Sequence, residues 1–135
     1  MKLQYLLNET TEKSEGHRTN IETDTIKNNN FRKVLFTTPR TQLVLMSLKP
    51  GEDIGEEKHK GDQFFRFEKG EGKMVINGKE SKLTNGSSVV VPEGAMHNVI
   101  NTGKEPLKLY ALYSPPQHKD GTVDKIKPEK EDEAE

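Results

Sequence analysis

The segment from residue 86 to residue 101 has residue types and a spacing that could hold a metal ion. It reads G-S-S-V-V-V-P-E-G-A-M-H-N-V-I-N. Residues 87–91, which include three consecutive β-branched valines, predict a short strand. Pro92 and Gly94 then bend the chain, because proline fixes φ and glycine tolerates positive φ. His97 follows on a new strand whose direction that bend sets, and the pattern indicates a metal-binding strand.

Two segments of the chain resemble the two sequence motifs of the cupin superfamily, G-x5-H-x-H-x3-E-x6-G and G-x5-P-x-G-x2-H-x3-N. The second motif is matched at every defined position, by Gly86, Pro92, Gly94, His97 and Asn101. Counted from Gly51, the first motif would place its ligands at Glu57, His59 and Gln63 and its closing glycine at Gly70. The spacing is intact, but Glu57 stands where His is usual and Gln63 where Glu is usual.

The resemblance covers roughly residues 31–116 and implies an all-β fold, the cupin-type double-stranded β-helix, which is a jelly-roll barrel. Short β-rich runs alternate with turn residues, and no window has a convincing helical period, which agrees with that fold. We expect one cupin barrel domain at residues 31–116, between a polar N-terminal segment (1–30) and a charged C-terminal tail (117–135), with partly disordered termini. The predicted strands are residues 31–37, 42–48, 63–68, 73–76, 79–82, 87–91, 96–100 and 107–113.

The resemblance further implies that Glu57, His59, Gln63 and His97 meet inside the barrel and bind one divalent metal ion. Strand periodicity agrees for the first pair, because residues at i and i+2 point to one face of a strand. Two imidazoles, a carboxylate and an amide oxygen form a mixed nitrogen and oxygen set, which favours Fe, Mn, Ni or Zn. The residues expected to line the substrate pocket are Met46, Phe65, Phe67 and Val99.

The residues leave alternatives open at this site. Glu57 is a ligand, a catalytic general base, or a solvated residue at the rim of the barrel. A cluster of Gln, Glu and His can also satisfy itself by hydrogen bonds, and some cupins with altered first motifs bind no metal. Met46 can be a plain core residue.

Other polar and aromatic side chains are expected to have structural roles. Tyr110 and Tyr113 lie on opposite faces of the last predicted strand, so only one can point inward, where we expect core packing. Arg66 is expected at the surface. His17 and His118 fall in polar segments and are expected to be solvated, although the segment that begins at His118 could instead fold over the barrel mouth as a lid.

Composition narrows the classes of partner. The chain has 135 residues, a formal net charge of −1 and no cysteine, so disulfide scaffolds and thiolate metal sites are excluded. The sequence has no basic stripe that predicts nucleic-acid binding, and no apolar run that predicts a signal peptide or a membrane span. We therefore expect a cytoplasmic protein without a nucleic-acid or membrane partner. Residues 31–35 are the candidate contact of a homodimer, and the alternative is that they form an ordinary barrel strand of a monomer.

The expected function follows from the resemblance and stays broad, because a fold does not fix a reaction. We expect a small-molecule enzyme of oxygenase, isomerase or lyase type that uses one divalent ion, with Glu57 as the candidate catalytic residue. The alternatives are a non-catalytic module that binds a sugar or another small ligand, and a metal-free structural barrel. No cluster of Lys and Arg is expected to face inward, which disfavours a sugar phosphate.

Overall fold

The computed structural model describes residues 14–129, and nearly all of its regular structure is β-strand. One short helix precedes nine strands along these residues. The elements are α1 (Ile21–Lys27), β1 (Arg32–Thr37), β2 (Gln42–Leu48), β3 (Asp62–Lys69), β4 (Gly72–Ile76), β5 (Lys79–Leu83), β6 (Ser88–Val91), β7 (His97–Asn101), β8 (Leu107–Ser114) and β9 (Val123–Asp124).

Two antiparallel sheets enclose a single apolar core. The larger sheet has six strands in the order β6-β3-β8-β2-β1-β9, and the smaller has three in the order β5-β4-β7. Met74 and Val99 of the small sheet belong to the same buried cluster as Phe65 and Leu109 of the large sheet. Side chains alternate between the two faces of each strand, so alternate residues of strands such as β3 and β7 enter this core. The predicted all-β jelly-roll barrel is confirmed.

The eight strands predicted from the sequence are all present, and their bounds differ by at most one residue. Turn residues explain this agreement, because Asn77 and Gly78 at a tight turn both have positive φ and residues of these types fix such a hairpin. Among residues 14–129, no helix is long and apolar enough to cross a membrane.

The helix α1 lies in the polar N-terminal segment, where the sequence has no convincing helical period, so this helix was not predicted. Asn20 caps it, with its side-chain oxygen accepting a hydrogen bond from the backbone N–H of Thr23 at 2.9 Å. Thr25 is fully buried, and the buried ammonium of Lys108 on β8 donates to the backbone carbonyl of Asn28 just beyond the helix. A helix this short depends on such packing more than on its own propensity. Residues 1–13 of the expected N-terminal segment lie outside the described residues.

The C-terminal segment, which we expected to be a charged tail, returns to the barrel. Its strand β9 pairs with β1 at Arg32 and Lys33, and the buried guanidinium of Arg32 makes a 2.7 Å ion pair with Asp124. The ammonium of Lys127 also lies 2.8 Å from a carboxylate oxygen of Asp53. Residues 117–129 therefore contribute hydrogen bonds and ion pairs to the barrel, whereas residues 130–135 lie outside the described part. The domain limits as drawn from the sequence stay a prediction.

Strand β1 has partners on both sides, which limits how it could contact a second chain. It pairs with β2 along its length and with β9 at Arg32 and Lys33, and Phe31 is buried. Residues 31–33 therefore present no free strand edge to a partner. The homodimer itself stays a prediction.

Gln42 anchors the C-terminal segment from inside the fold. Its buried side chain donates to the Thr37 hydroxyl at 3.0 Å and to the backbone carbonyl of His118 at 2.7 Å. Its amide oxygen accepts from the backbone N–H groups of Gln117 at 3.2 Å and His118 at 3.1 Å. This one side chain satisfies four polar groups, and it holds His118 beside the barrel.

We predict that Gln42→Leu destabilises the protein by about 2–3 kcal/mol, because it removes four hydrogen bonds to partly buried groups. Urea unfolding measures the free energy, and hydrogen exchange should show faster exchange at the amides of Gln117 and His118. The control is Gln117→Leu, whose lost side-chain bonds are exposed and which should change stability by at most about 0.5 kcal/mol. Equal destabilisation by both variants would contradict the anchoring role of Gln42.

Candidate metal centre

A pair of backbone hydrogen bonds sets the position of Glu57 opposite His97. The N–H of Glu57 donates to the carbonyl of His97 at 2.8 Å, and the N–H of His97 donates back to the carbonyl of Glu57 at 2.9 Å. Residues that face each other in an antiparallel bridge project their side chains to the same side. The loop that carries Glu57 and His59 is thereby fixed to the first residue of β7.

His59 and Gln63 are brought to the same place by neighbouring pairings. The carbonyl of His59 accepts from the N–H of Gly94 at 3.1 Å, where Gly94 has a φ of +85° that favours glycine. Gln63 lies on β3 between Val91 of β6 and Tyr113 of β8. The bend between the strands β6 and β7 therefore contacts the loop that holds His59.

Four polar side chains converge inside the barrel. The Nε2 of His59 lies 3.1 Å from Oε1 of Glu57, and the Nε2 of His97 lies 3.9 Å from the same oxygen. Oε1 of Gln63 lies 3.1 Å from the Nε2 of His97. The two imidazole centroids are 5.5 Å apart. The structure therefore brings together all four residues that the sequence analysis selected.

The hydrogen bond at the far side of the His97 ring fixes its tautomer. Its Nδ1 lies 3.0 Å from the backbone carbonyl of Ala95, and because a carbonyl can only accept, Nδ1 carries the proton. Burial lowers the pKa of His97 below its ordinary value, although this hydrogen bond to Ala95 and the charge of Glu57 oppose the shift. The ring is thus neutral near pH 7, with the Nε2 lone pair directed at Glu57 and Gln63. Many metal-binding histidines are oriented in this way, by a carbonyl that accepts a hydrogen bond from the ring nitrogen facing away from the metal.

The centre has more acceptors than donors. The Nε2 lone pair of His97 faces Oε1 of Gln63 and Oε1 of Glu57, and all three are acceptors. The Nδ1 of His59 and the Nε2 of Gln63 are buried without a hydrogen-bond partner among the described residues. Buried polar atoms of this kind are unfavourable unless they are paired. A 180° rotation of the Gln63 amide would supply one donor to His97, so a cluster without metal is the alternative arrangement.

The spacing of the donor atoms fits a divalent cation. One ligand atom each from Glu57, His59 and His97 can be chosen so that all three lie within 4.8 Å of one another. Two ligands that are about 2.1 Å from an ion, at angles between about 90° and 110°, lie roughly 3.0–3.4 Å apart. The two 3.1 Å separations match this range, and two imidazoles with one carboxylate are a common donor set for such ions.

The four residues expected to line a substrate pocket lie next to this cluster or in the core behind it. The ring of Phe65 meets the ring of His97 edge to face, with 6.1 Å between centroids, and stacks on Phe67 at 6.1 Å. Met46, Phe65, Phe67 and Val99 are all fully buried. Phe65 covers one side of the His97 ring, and the contact of these four residues with a substrate stays a proposal.

Tyr113 and His118 belong to the surroundings of the site, which the sequence analysis did not foresee. Tyr113 is the one of the two tyrosines that points inward. Its ring is perpendicular to that of His59, with 5.6 Å between the ring centroids. His118 is half-buried, with its ring 5.2 Å from that of Tyr113 and its Nε2 3.4 Å from the tyrosine hydroxyl. The expectation that His118 is solvated is therefore wrong. His17 and Arg66, in contrast, lie at the surface as expected, with His17 exposed and Arg66 partly exposed.

Asn101, the last residue of the second motif, has a structural role. Its buried amide donates to the carbonyls of Leu48 and Glu105, both at 2.9 Å, and accepts from the N–H of Gly103 at 2.8 Å. It therefore ties the end of β7 to the end of β2 and to the following turn. This explains why an asparagine can be required four residues after the histidine.

In metal-free protein, we predict that His97 makes folding sensitive to acid. Below about pH 6.5 the unfolded chain binds a proton at His97 whereas the folded chain, with its lowered pKa, does not, so the free energy of unfolding falls as the pH falls. The slope is limited to about 1.4 kcal/mol per pH unit. Urea unfolding between about pH 5 and 7 should show a shallower slope for His97→Gln than for the unsubstituted protein. A His97→Gln slope equal to that of the unsubstituted protein would contradict this prediction.

Comparisons with known proteins agree with the geometry. A family model described as "Cupin domain" matches residues 44–113. An uncharacterised protein of Bacillus subtilis is 49% identical over an alignment of 116 residues that covers 80% of this chain and 62% of the relative, so the chain spans less than two thirds of that protein. The crystal structure of a Bacillus halodurans protein superimposes with a TM-score of 0.81 at 42% identity, covering 83% of this chain and 90% of that one.

A third relative has a name that mentions a ligand. The oxalate-binding protein of Thermotoga maritima is 32% identical over 68 residues, which are 50% of this chain and 56% of that protein. The family model covers more than half of this chain and includes the strands that carry Gln63 and His97. The chain therefore belongs to the cupin family.

Proposed function

We propose that this protein binds one divalent metal ion through Glu57, His59, His97 and Gln63, and that it uses the ion to act on a small oxygen-rich molecule. The observation that carries the proposal is the convergence of one carboxylate and two imidazoles within 4.8 Å. Fe, Mn, Ni and Zn all accept this donor set. The ion would supply Lewis-acid or oxygen-activating chemistry at its open coordination positions.

The ligand residues have different parts in holding the ion. His97 is held as a neutral imidazole by Ala95, with its Nε2 free to coordinate. Glu57 supplies the only carboxylate among the four, which partly neutralises a divalent charge in an apolar interior where an unpaired charge is unfavourable. Glu57 is 14% exposed at its side chain, so it is also the group best placed to exchange a proton with solvent.

Gln63 has an oxygen that would contact the ion and a nitrogen that would contact the substrate. Its Oε1 is directed at the cluster, and its Nε2 is buried without a partner among the described residues. That N–H group would donate to an oxygen of a bound molecule. A carboxylate or an enolate fits best, because it offers an anionic oxygen to the ion and an acceptor to the amide.

The surrounding rings shape the space for such a molecule. Tyr113 lies edge to face with His59, and Phe65 lies edge to face with His97. With both rings buried, bulk water is kept from two sides of the cluster, which strengthens electrostatic interactions with a bound anion. The class of enzyme we propose remains an oxygenase, isomerase or lyase.

The second candidate is a non-catalytic module that binds a small ligand. It is favoured by the name of the oxalate-binding relative in Thermotoga maritima. Such a module would bind its ligand through the same metal ion and the same Gln63 amide. A cytoplasmic location and a homodimer accompany either candidate as predictions.

We predict that the purified protein contains about one equivalent of a divalent metal ion, and that His59→Ala, His97→Ala and Glu57→Ala each reduce its affinity by about 10–100-fold or more. Mass spectrometry of the metal content and titration with Mn measure this. Metal at about 100 times its Kd should stabilise the protein by about 2.7 kcal/mol. His17→Ala is the matched control, because His17 is an exposed histidine of the same chain.

A metal content that stays the same in His59→Ala and His97→Ala would contradict the proposed metal site. Equal thermal stability with and without a chelator, in a protein that never binds metal, would point to the hydrogen-bonded cluster with a rotated Gln63 amide.

We predict that Gln63→Glu separates metal binding from ligand binding. The new carboxylate keeps an oxygen ligand for the ion, but it repels an anionic ligand and removes the donor, so oxalate affinity should fall by at least about tenfold. Isothermal titration of oxalate into Mn-loaded protein measures the affinity. Gln63→Leu should weaken the binding of both metal and oxalate, and unchanged oxalate binding in Gln63→Glu would contradict the role of the amide.

Analysis of products after aerobic incubation separates the enzyme from the non-catalytic module, because only an enzyme converts the ligand.

A further inference from the structure

The two histidines of the candidate metal centre are oriented by different contacts. The Nδ1 of His97 donates a hydrogen bond to the carbonyl of Ala95 at 3.0 Å, which fixes the ring of His97. The Nδ1 of His59, in contrast, is buried and has no hydrogen-bond partner among the described residues. Metal-binding histidines are commonly oriented by a hydrogen bond at the nitrogen that faces away from the metal. The ring of His59 therefore depends on another contact for its orientation.

The hydrogen bond between His59 and Glu57 fixes one corner of the imidazole ring. The Nε2 of His59 lies 3.1 Å from Oε1 of Glu57, and Nε2 carries the proton because an ionised carboxylate only accepts. A single bond at one corner does not fix the tilt of the ring plane. Coordination requires that the lone pair of Nε2 points at the ion, so this tilt affects the affinity for a metal.

The ring of Tyr113 supplies a contact that favours one tilt. It meets the ring of His59 at an interplanar angle of 89°, with 5.6 Å between the centroids. Perpendicular aromatic pairs at this separation attract each other, because the positive edge of one ring faces the negative face of the other. A change in the tilt of His59 would weaken this contact.

Tyr113 is itself firmly held inside the barrel. The strand register places it between Gln63 of β3 and Gln42 of β2, and it is only 2% exposed. The ring of His118 meets that of Tyr113 at 82° with 5.2 Å between centroids, and its Nε2 lies 3.4 Å from the tyrosine hydroxyl. A side chain with so many neighbours can fix the orientation of the ring beside it.

Phe65 has the corresponding place beside His97, but a smaller part in orienting it. Its ring meets that of His97 at 62°, with 6.1 Å between centroids, so this contact is longer and less perpendicular than that of Tyr113. Because Ala95 already fixes the ring of His97, Phe65 supports an orientation that a hydrogen bond provides.

We propose that Tyr113 is the positioning residue of the metal ligand His59, and that it acts through its ring. The flanking side chains and His118 keep that ring in place. The inference rests on the proposed metal site, but the effect of Tyr113 on His59 is expected in metal-free protein as well. It gives the inward-facing tyrosine a role in metal affinity in addition to its packing in the core.

Titration with Mn tests this role in the metal-bound state. Tyr113→Leu should weaken the binding of Mn by about tenfold, because it removes a group that orients a ligand. Tyr113→Phe keeps the ring and should bind Mn as tightly as the unsubstituted protein. Tyr110→Leu is the matched control, because Tyr110 lies on the opposite face of the same strand, where its ring contacts Phe64, and it should leave the affinity unchanged.

NMR of the histidine nitrogens in isotope-labelled, metal-free protein tests the effect on His59 directly. At about pH 8, where an ordinary imidazole is neutral, a fixed ring has one N–H nitrogen and one bare nitrogen with well-separated shifts. We expect this pattern for His59 in the unsubstituted protein and in Tyr113→Phe. In Tyr113→Leu the two shifts of His59 should move toward each other, because a ring that leaves Glu57 exchanges between its tautomers. The shifts of His97 should stay in place, whereas a general loosening of the fold would change both histidines.

The two measurements distinguish a failure of this inference from a failure of the metal site. An unsubstituted protein that binds no Mn would count against the metal site, and the nitrogen shifts alone would then decide the role of Tyr113. Unchanged His59 shifts in Tyr113→Leu, or Mn affinities that are equal in Tyr113→Leu and Tyr113→Phe, would overturn the inference. If Tyr113→Leu does not fold, Tyr113→Met gives the same contrast with a flexible side chain that fills more of the space.

Discussion

The antiparallel backbone bridge between Glu57 and His97 is the constraint on which the site depends. Two hydrogen bonds of 2.8 and 2.9 Å join a loop residue to the first residue of a strand, and each side chain is then aimed at the other. His97 cannot turn away, because its Nδ1 is held by Ala95. The lone pair and the carboxylate are thus positioned before any cation arrives, which reduces the reorganisation that binding requires.

The large sheet supports this arrangement from behind. Gln63, Tyr113 and Gln42 lie side by side on three adjacent strands, and each is buried. Gln63 reaches the cluster, Tyr113 packs on His59, and Gln42 holds His118 against Tyr113. These three side chains therefore connect the C-terminal segment to the candidate ligands through direct contacts, so that a segment remote in sequence shapes the surroundings of the site.

The two departures from the usual family motif, at positions 57 and 63, leave the total formal charge of the four candidate ligands unchanged. Three histidines and a glutamate are the usual residues of the motifs that this chain resembles, and here two histidines, a glutamate and a glutamine occupy the four positions. Both sets contain one carboxylate, but in this chain it lies at position 57 and an amide lies at position 63. Because the formal charge of the set is unchanged, the electrostatic attraction for a divalent cation is kept. The amide differs from a carboxylate in that it can also donate a hydrogen bond.

Local signals in the sequence determined the strands, whereas the resemblance to the two cupin motifs selected the four polar residues of the site. Alternating apolar residues, the Asn77-Gly78 turn and the spacing of Gly94 and His97 act over a few residues, so they can be read without the fold. The N-terminal helix also had a local signal, since Asn20 precedes Glu22 and Asp24 and Lys27 stands in the last turn. Its single buried residue gave no apolar period to support that signal.

Only the tertiary structure decided what surrounds the site and where the termini lie. Three sets of contacts join residues that are 54 to 92 positions apart in the sequence. They are the pairing of β9 with β1, the hydrogen bonds between Gln42 and His118, and the ring contact between Tyr113 and His59. Polar and charged residues make most of these contacts, and in a sequence such residues look the same whether they are solvated or paired. Their pairing depends on which strands become neighbours, and that is a property of the whole folded chain.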